Sequence, residues 1–538
     1  MSNEDSPPSD PQTRLNAERL RKRLVEARRS ISDEGRPEAV QQQHSQGKLT
    51  ARERIDYLCD GGSFNEIGAL AAPAPSTPET SDWTREDAPA DGIVTGTARI
   101  DGQPVTVMAS DYTVKGGSIG HTGSRKMSRL FDIALQRGLP TVLLHDGGGH
   151  RIQEGLDARP FAHGDDGDLF TKLTKLSGWV PLVSAIMGPG FAGPTNFSAF
   201  CDFVPVVEGT GTMGIAGPAL TNAALGIDVS KEELGGAAFQ TRETGVADMA
   251  CEDDEACLDA VREYLSYLPQ NATESPPAAD ESAPPRQEQA DELAEIIPAD
   301  PKKAFDVYTV VEGLVDRDTF FELKPRFARS IVTGFARLDG TPVGVVANNP
   351  RSKAGTLDTD ATTKSSRFIA LCDAFELPLV FLADVPGFLP GPTSEREGLA
   401  RHSGKLVYQI ERATTPVMSI VLRRGYGLGY LAMAGGRTRN ELNAVWPTTE
   451  LAAMGIEGAV NVIYRREIET AENPDEKREE LVDRFVGRSG ALRAAEGMGI
   501  DRVVTPEETR PLLIDTIDRA QLRTQEDWPP KKHGIPPI

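Results

Sequence analysis

Apolar positions along this chain alternate between two spacings. Val105–Ala109 is a short β-prone run, and Met127, Leu130, Phe131, Ala134 and Leu135 then recur at helical spacing. "LPTVLLHD", Leu139 to Asp146, follows as a continuous apolar stretch of the kind a strand buried on both faces shows. The pattern predicts strand, helix, strand. It returns later in the chain, where "LPLVFLAD" occupies Leu377 to Asp384.

The recurrence is an internal repeat. "IVTGTARIDGQPV", Ile93 to Val105, comes back as "IVTGFARLDGTPV", Ile331 to Val343, with three positions changed and an offset of 238 residues. The same offset carries Lys115 to Lys353, Gly117 to Gly355, Lys126 to Lys364, Arg129 to Arg367 and Asp146 to Asp384. Two copies of one α/β fold are expected, with sites at strand ends and helix N-termini. Ahead of the first copy, Leu15, Leu20, Leu24 and Ala27 line one face of a predicted amphipathic helix, read as a structural or oligomer-packing element.

Composition locates the boundary between the copies. The 538 residues exceed what a single core holds, and the net charge of −22 is concentrated: residues 251–300 alone carry a net −12. "PQNATESPPAADESAPPRQEQADELAEIIPAD" is rich in Pro, Ala and acid and poor in apolar residues, which reads as a flexible linker. The expected division is a disordered N-terminus over 1–12, a first domain over 13–265, an acidic linker over 266–300 and a second domain over 301–538. The overall acidity argues against a nucleic-acid partner, yet Ser110–Leu130 holds Lys115, Arg125, Lys126 and Arg129 against Asp111 alone, enough to attract an anionic ligand. Five cysteines without a C-x-x-C pair support neither a disulfide framework nor a metal site. With no apolar leader and no run of about 18 apolar residues, no membrane span is expected and the protein is read as cytoplasmic.

"PGFAGPTNFSAF", Pro189 to Phe200, carries the candidate chemistry. Gly-rich residues precede a proline and an apolar run, which predicts a helix N-terminus, where unpaired N–H groups and the dipole favour a negative charge.

At this point the chain resembles the carboxyltransferase (β) subunits of biotin-dependent acyl-CoA carboxylases, of the propionyl-CoA and acetyl-CoA type. The resemblance rests on "RIQEG" (Arg151–Gly155), "SAIMGP" (Ser184–Pro189), "DVSKEELGGA" (Asp228–Ala237), "CDAFELPLVFLADVPGFLPG" (Cys372–Gly391) and "WPTTELAAMGIEGAV" (Trp446–Val460). It implies two crotonase-like domains, each a ββα superhelix, commonly assembled as a hexamer, with sites shared between the N-domain of one protomer and the C-domain of another. The first domain would take the acyl-CoA and the second the biotin. It implies backbone donors at Ala192 and Gly193, on the thioester oxygen, and at Leu428 and Gly429, on the ureido oxygen of carboxybiotin. Such donors are each worth roughly 10²–10³ in rate. The biotin nitrogen would accept the α-proton, so no side-chain base is required. Substrate contacts are expected from Gly148, Gly149, His150, Arg151, Asn196 and Leu431. No metal is implied. Biotin would arrive on a biotin carboxylase or biotin carboxyl carrier subunit, because this chain has no Met-Lys-Met attachment segment.

Several positions depart from the family pattern. Pro194 deletes an N–H, which is harmless at the first helical position; Gly147 and His150 alter the loop, Asn196 and Phe197 replace Tyr-Ser, and Gln240 and Asp248 replace two histidines. His150 either bonds within its loop or reads a polar acyl substituent. Three other readings stand: a decarboxylase or transcarboxylase using the same donors, a crotonase-like hydratase with Glu154 as acid or base, and a non-catalytic scaffold.

Overall fold

The computed structural model describes residues 11–74, 77–156, 165–279, 283–436, 439–485 and 487–520. It divides into two compact units, Met1–Gln240 with Ala250–Arg262, and Thr241–Met249 with Glu263–Ile538.

The first unit is built on a seven-stranded sheet. Its strands are β1 (Asn65–Ile67), β2 (Ile93–Ile100), β3 (Gln103–Ser110), β4 (Thr141–His145), β5 (Leu182–Ile186), β7 (Pro205–Val207) and β9 (Met249–Cys251), in that spatial order. Beside it β6 (Pro189–Phe191) and β8 (Thr212–Gly214) form a parallel pair. β1, β2 and β3 pair antiparallel, and β3, β4, β5 and β7 parallel. The β2–β3 connection is Asp101-Gly102, both at positive φ (49° and 82°), the tight hairpin that Asp-Gly favours.

The second unit repeats this plan. β10 (Phe321–Leu323), β11 (Ile331–Leu338), β12 (Thr341–Asn348), β13 (Leu379–Val385), β14 (Val417–Tyr426), β15 (Leu442–Val445) and β17 (Arg502–Val503) form the main path, with β16 (Glu450–Ala452) pairing β14. Asp339-Gly340 makes the equivalent hairpin at φ 51° and 79°. The expected strand, helix, strand order is present in both, through helices His121–Arg137 and Thr359–Ala374. Each helix buries a lysine at the repeat position. Lys126 Nζ donates to the carbonyls of Ala90 and Ile93, and Lys364 Nζ to those of Lys324, Phe327 and Ile331. Burial pulls both amines down to about 8.

The terminal and linking segments differ from expectation. A helix already runs over Pro11–Ile31, so residues 11 and 12 are ordered, while 1–10 lie outside the described residues. Ala27 and Ile31 are buried, but Leu20 and Leu24 are exposed within the chain; the Leu15 side chain lies outside the description. The stretch 266–300 is not a free tether. Ala279 N–H donates to Gly340 O, Arg337 donates to the carbonyls of Ser266 and Pro277, and helix Gln287–Leu293 inserts Leu293 into the core with Val310, Val311 and Leu314. Its polar composition allows this because the β11–β12 hairpin and a few apolar side chains, Tyr267, Leu268, Leu293, Ile296 and Ile297, rather than a core of its own, hold it. Residues 280–282 lie outside the description. Among the described residues no helix is long and apolar enough to cross a membrane.

Candidate active site

In the first unit, β4 ends at His145 and runs into the loop Asp146-Gly147-Gly148-Gly149-His150-Arg151. Asp146 anchors it: the carboxylate is fully buried and takes Lys48 Nζ at 2.5 Å, Arg54 Nη1 at 2.8 Å and Gln43 Nε2 at 2.8 Å. Three backbone bonds then shape the loop, from Gly147 N to Pro189 O (2.7 Å), Ile119 N to Gly149 O (3.0 Å) and Arg151 N to Ile119 O (2.7 Å).

The loop meets a helix N-terminus. Helix Gly193–Ser198 begins beside Gly149, where a Cβ would lie 2.8 Å from Ala192 Cβ and 2.9 Å from Gly193 N. Only glycine allows this approach. Among the described residues the N–H groups of Gly149 and Gly193 have no acceptor. Two unsatisfied donors therefore lie side by side at one strand end, an arrangement suited to an oxyanion. Pro194 stands at the second helical position, not the first, and its missing N–H is still one of those a helix leaves unpaired.

The expected donor Ala192 is engaged elsewhere. Its N–H bonds Gly214 O at 2.8 Å, and its backbone is held at φ 63°, ψ −112°. Gly149 takes its place in the donor pair. Gly149, expected among the substrate contacts, is a backbone donor instead; its offset of 238 to Gly387, in "DVPGF", is the signal in the chain that it belongs to a repeated loop. Gly148 N–H is directed to Gly116 O at 3.3 Å.

Arg151 also departs from expectation. It is 1% exposed and spends all five N–H donors inside the protein, on Ser118 Oγ and O, Asp91 Oδ1 and O, and Glu154 Oε1. It shapes the loop instead of meeting substrate. Burial raises the Asp91 carboxyl, against the pull of that guanidinium. Glu154, the candidate acid or base of a hydratase, is buried in the same network, with Oε2 accepting the His121 N–H at 2.8 Å. His150 is half-buried, 5.2 Å edge-on from the His121 ring, and Asn196, the fourth residue of the short helix, is half-buried. Gln240 donates to Met213 O, and Asp248 pairs with Lys324 at 2.9 Å, so both replacements for histidine are structural.

The second unit presents the counterpart. β13 ends beside Asp384, which accepts from both Arg423 and Arg424 side chains at 2.7 to 3.2 Å and from the Arg424 N–H. Burial alone would raise this carboxyl, but the hydrogen bonds from Arg424 and Arg423 outweigh it and hold it below its usual range. Helix Gly427–Ala432 starts against the following loop, where a Cβ on Gly429 would lie 2.9 Å from Gly387 Cα. The N–H groups of Gly387, Leu428 and Gly429 have no acceptor among the described residues. They open on a cavity of about 350 Å³ lined by Gly387, Phe388, Tyr426, Leu428, Gly429 and Met454, among others. Tyr426 donates to Glu450 at 2.7 Å, and burial raises its phenol. Leu431 is 41% exposed and is not among the residues lining this cavity.

Comparison with known proteins agrees with this duplicated geometry. The carboxyl transferase domain model matches residues 42–536. The propionyl-CoA carboxylase carboxyltransferase subunit of Haloferax mediterranei is 41% identical over 96% of this chain and 98% of its own. The methylmalonyl-CoA decarboxylase subunit alpha of Propionigenium modestum is 36% identical over 96% and 98%. The solved transcarboxylase 12S structure, a hexamer with methylmalonyl-coenzyme A and methylmalonic acid bound, superposes at a TM-score of 0.88 and 37% identity, covering 100% of both chains. Two mixed α/β units of crotonase-like fold, each ending its central strand in a glycine loop against a helix N-terminus, place this chain in the carboxyl transferase family, to which it belongs.

Proposed function

We propose that this chain is the carboxyltransferase subunit of a biotin-dependent acyl-CoA carboxylase, moving a carboxyl group from carboxybiotin on a carrier protein to the α-carbon of an acyl-CoA of the propionyl/methylmalonyl type. The observation that carries the reading is the duplicated pair of unpartnered donors, Gly149 with Gly193 and Gly387 with Gly429, each at the end of a central strand.

Gly149 and Gly193 N–H would hold the thioester oxygen as it becomes an enolate oxygen. Because both are backbone groups fixed by Asp146, Arg151 and the loop hydrogen bonds, they need little reorganisation when charge develops. Glu154 is committed to Arg151 and the His121 N–H, which removes it as a hydratase acid or base.

The cavity of the second unit fits the biotin end. Phe388, Leu428 and Met454 give apolar walls for a compact bicyclic ring, and the Gly387 and Gly429 N–H groups, with that of Leu428 beside them, give donors for a ureido oxygen. Carboxybiotin, when bound there, supplies the carboxyl group. The partner is a biotin carboxylase or biotin carboxyl carrier subunit, and the chain works as a homo-oligomer, a hexamer, in the cytoplasm. Relatives named as carboxylase, decarboxylase and transcarboxylase subunits support the chemistry in either direction. Identity to the Haloferax mediterranei carboxylase subunit supports carboxylation as the working direction.

The test supplies carrier loaded with labelled carboxybiotin and measures transfer to acetyl-, propionyl- and butyryl-CoA. Propionyl-CoA is expected to give the highest kcat/KM. Binding of CoA thioesters without transfer to any of them would replace this reading with the scaffold. Transfer only from methylmalonyl-CoA to unloaded carrier would reverse the direction.

A further inference from the structure

We propose that the Thr195 hydroxyl is a positioning group that holds Ala192 in a backbone conformation alanine disfavours, and so fixes the Gly193 donor. The proposal rests on the oxyanion role given to Gly193 above. Ala192 lies at φ 63°, ψ −112°, a region L-residues rarely adopt and one that persists only where surroundings impose it. Three linked hydrogen bonds impose it here. Ala192 N–H donates to Gly214 O at 2.8 Å, Gly214 N–H donates to Thr195 Oγ1 at 2.8 Å, and Thr195 Oγ1 donates to Gly190 O at 2.6 Å. Thr195 is 9% exposed, so water competes little for these groups. Its hydroxyl closes a loop from β6 through β8 back onto the residue before Gly193. Gln240, donating to Met213 O at 3.0 Å, steadies β8 from the other side.

The second unit shows what happens without strain at this point. Aligning Gly429 with Gly193 sets Leu431 opposite Thr195, and Leu431 has no hydroxyl. There Leu428, opposite Ala192, is not at positive φ, and the positive φ of 54° falls one residue earlier, on Gly427, which adopts it freely. The hydroxyl accompanies the strained alanine and is missing where that strain is missing.

The test is a double-mutant cycle between Thr195→Val and Ala192→Gly, read by kcat and KM for the acyl-CoA and by melting temperature, with Thr195→Ser as the conservative variant. Thr195→Val is expected to lower kcat about tenfold or more with KM within about twofold, and Thr195→Ser to restore kcat to within about twofold. In the Ala192→Gly background, Thr195→Val is expected to cost less than about threefold. Ala192→Gly is also expected to raise the melting temperature, because relief of strain outweighs glycine's entropy in the unfolded chain. A kcat for Thr195→Val within twofold of wild type, or an equal loss in both backgrounds, overturns the proposal. So does a melting temperature that Ala192→Gly lowers or leaves unchanged, a readout that stands even if the wild-type chain transfers no carboxyl group. Loss of transfer in the wild type would instead overturn the functional reading.

Discussion

The two units carry the same loop in the same place and anchor it by different means. In the first, Asp146 is held by Lys48 and Arg54, from segments ahead of the sheet, and their side chains are 2% and 0% exposed. In the second, Asp384 is held by Arg423 and Arg424 from the next strand, at 6% and 17% exposure. The residue before the aspartate differs as well. His145 is fully buried, both ring nitrogens lack a partner among the described residues, and it stacks 6.4 Å from Phe197 of the short helix; Ala383 stands at its counterpart. The contrast teaches that the duplicated feature is the backbone loop and its aspartate, while charge compensation was solved separately in each copy. Burial pulls Lys48 downward, which its proximity to Asp146 offsets only in part.

The largest test of the comparison removes the donors. Gly193→Pro and Gly429→Pro are each expected to reduce transfer about 10²-fold or more by deleting an N–H. Gly193→Ala should retain activity within a few-fold, since the nearest atom to its Cβ would be 3.6 Å away, whereas Gly429→Ala should fail because its Cβ would lie 2.9 Å from Gly387 and Val385. Release of CO₂ from carboxybiotin without acceptor should survive Gly193→Pro and vanish in Gly429→Pro. Equal behaviour of the two alanine variants, in protein shown folded by circular dichroism, would erase the distinction drawn between the sites.

Removing the anchors comes next. Asp146→Ala leaves the buried Lys48 amine without its carboxylate, while Arg54 keeps Asp254, and should cost about 3–5 kcal/mol in denaturant unfolding. Asp384→Ala should cost less, because Arg424 can turn its charge toward water. A larger loss for Asp384→Ala would reverse the order.

Acid should affect the two units differently. Burial pulls His145 down to about 3 from 6.5, so below pH 6.5 the unfolded chain takes up a proton that the folded chain refuses. Its contribution to stability is full above pH 6.5 and is lost as pH falls toward 3, at about 1.4 kcal/mol per unit. His145→Leu should flatten the pH dependence of the urea midpoint between pH 7.5 and 5.5. A parallel shift with unchanged slope would show that His145 does not titrate in this way.

The smallest effect is expected at Leu431. Exposed and away from the residues lining the cavity, its change to Asp should alter the ratio of kcat/KM between propionyl- and butyryl-CoA by less than about twofold. A tenfold shift toward the shorter chain would bring Leu431 back into the acyl pocket.

Much of the site was legible in the chain. The helix N-terminus at Gly193 follows from its glycines and proline, and the offset of 238 pairs Asp146 with Asp384 and Gly149 with Gly387. Arg151 was misread because a lone arginine in a loop motif looks like a substrate ligand; Asp91, which absorbs much of its charge, lies sixty residues away in sequence. The segment 266–300 was misread because composition counts polar residues but does not register that Leu293 has a core to enter.

By itself the sequence determined the duplication, the α/β alternation, the Asp-Gly hairpins and the glycines on which the donors depend, because these are local: they follow from side-chain periodicity and from the φ values each residue tolerates. Tertiary structure decided which groups remain free. Whether Ala192 or Gly149 supplies a donor depends on Gly214 O being 2.8 Å from one N–H and no acceptor among the described residues being near the other. Whether a charge meets substrate or a buried partner depends likewise on contacts between residues far apart along the chain, and a hydrogen bond can be satisfied only by what the fold brings within reach.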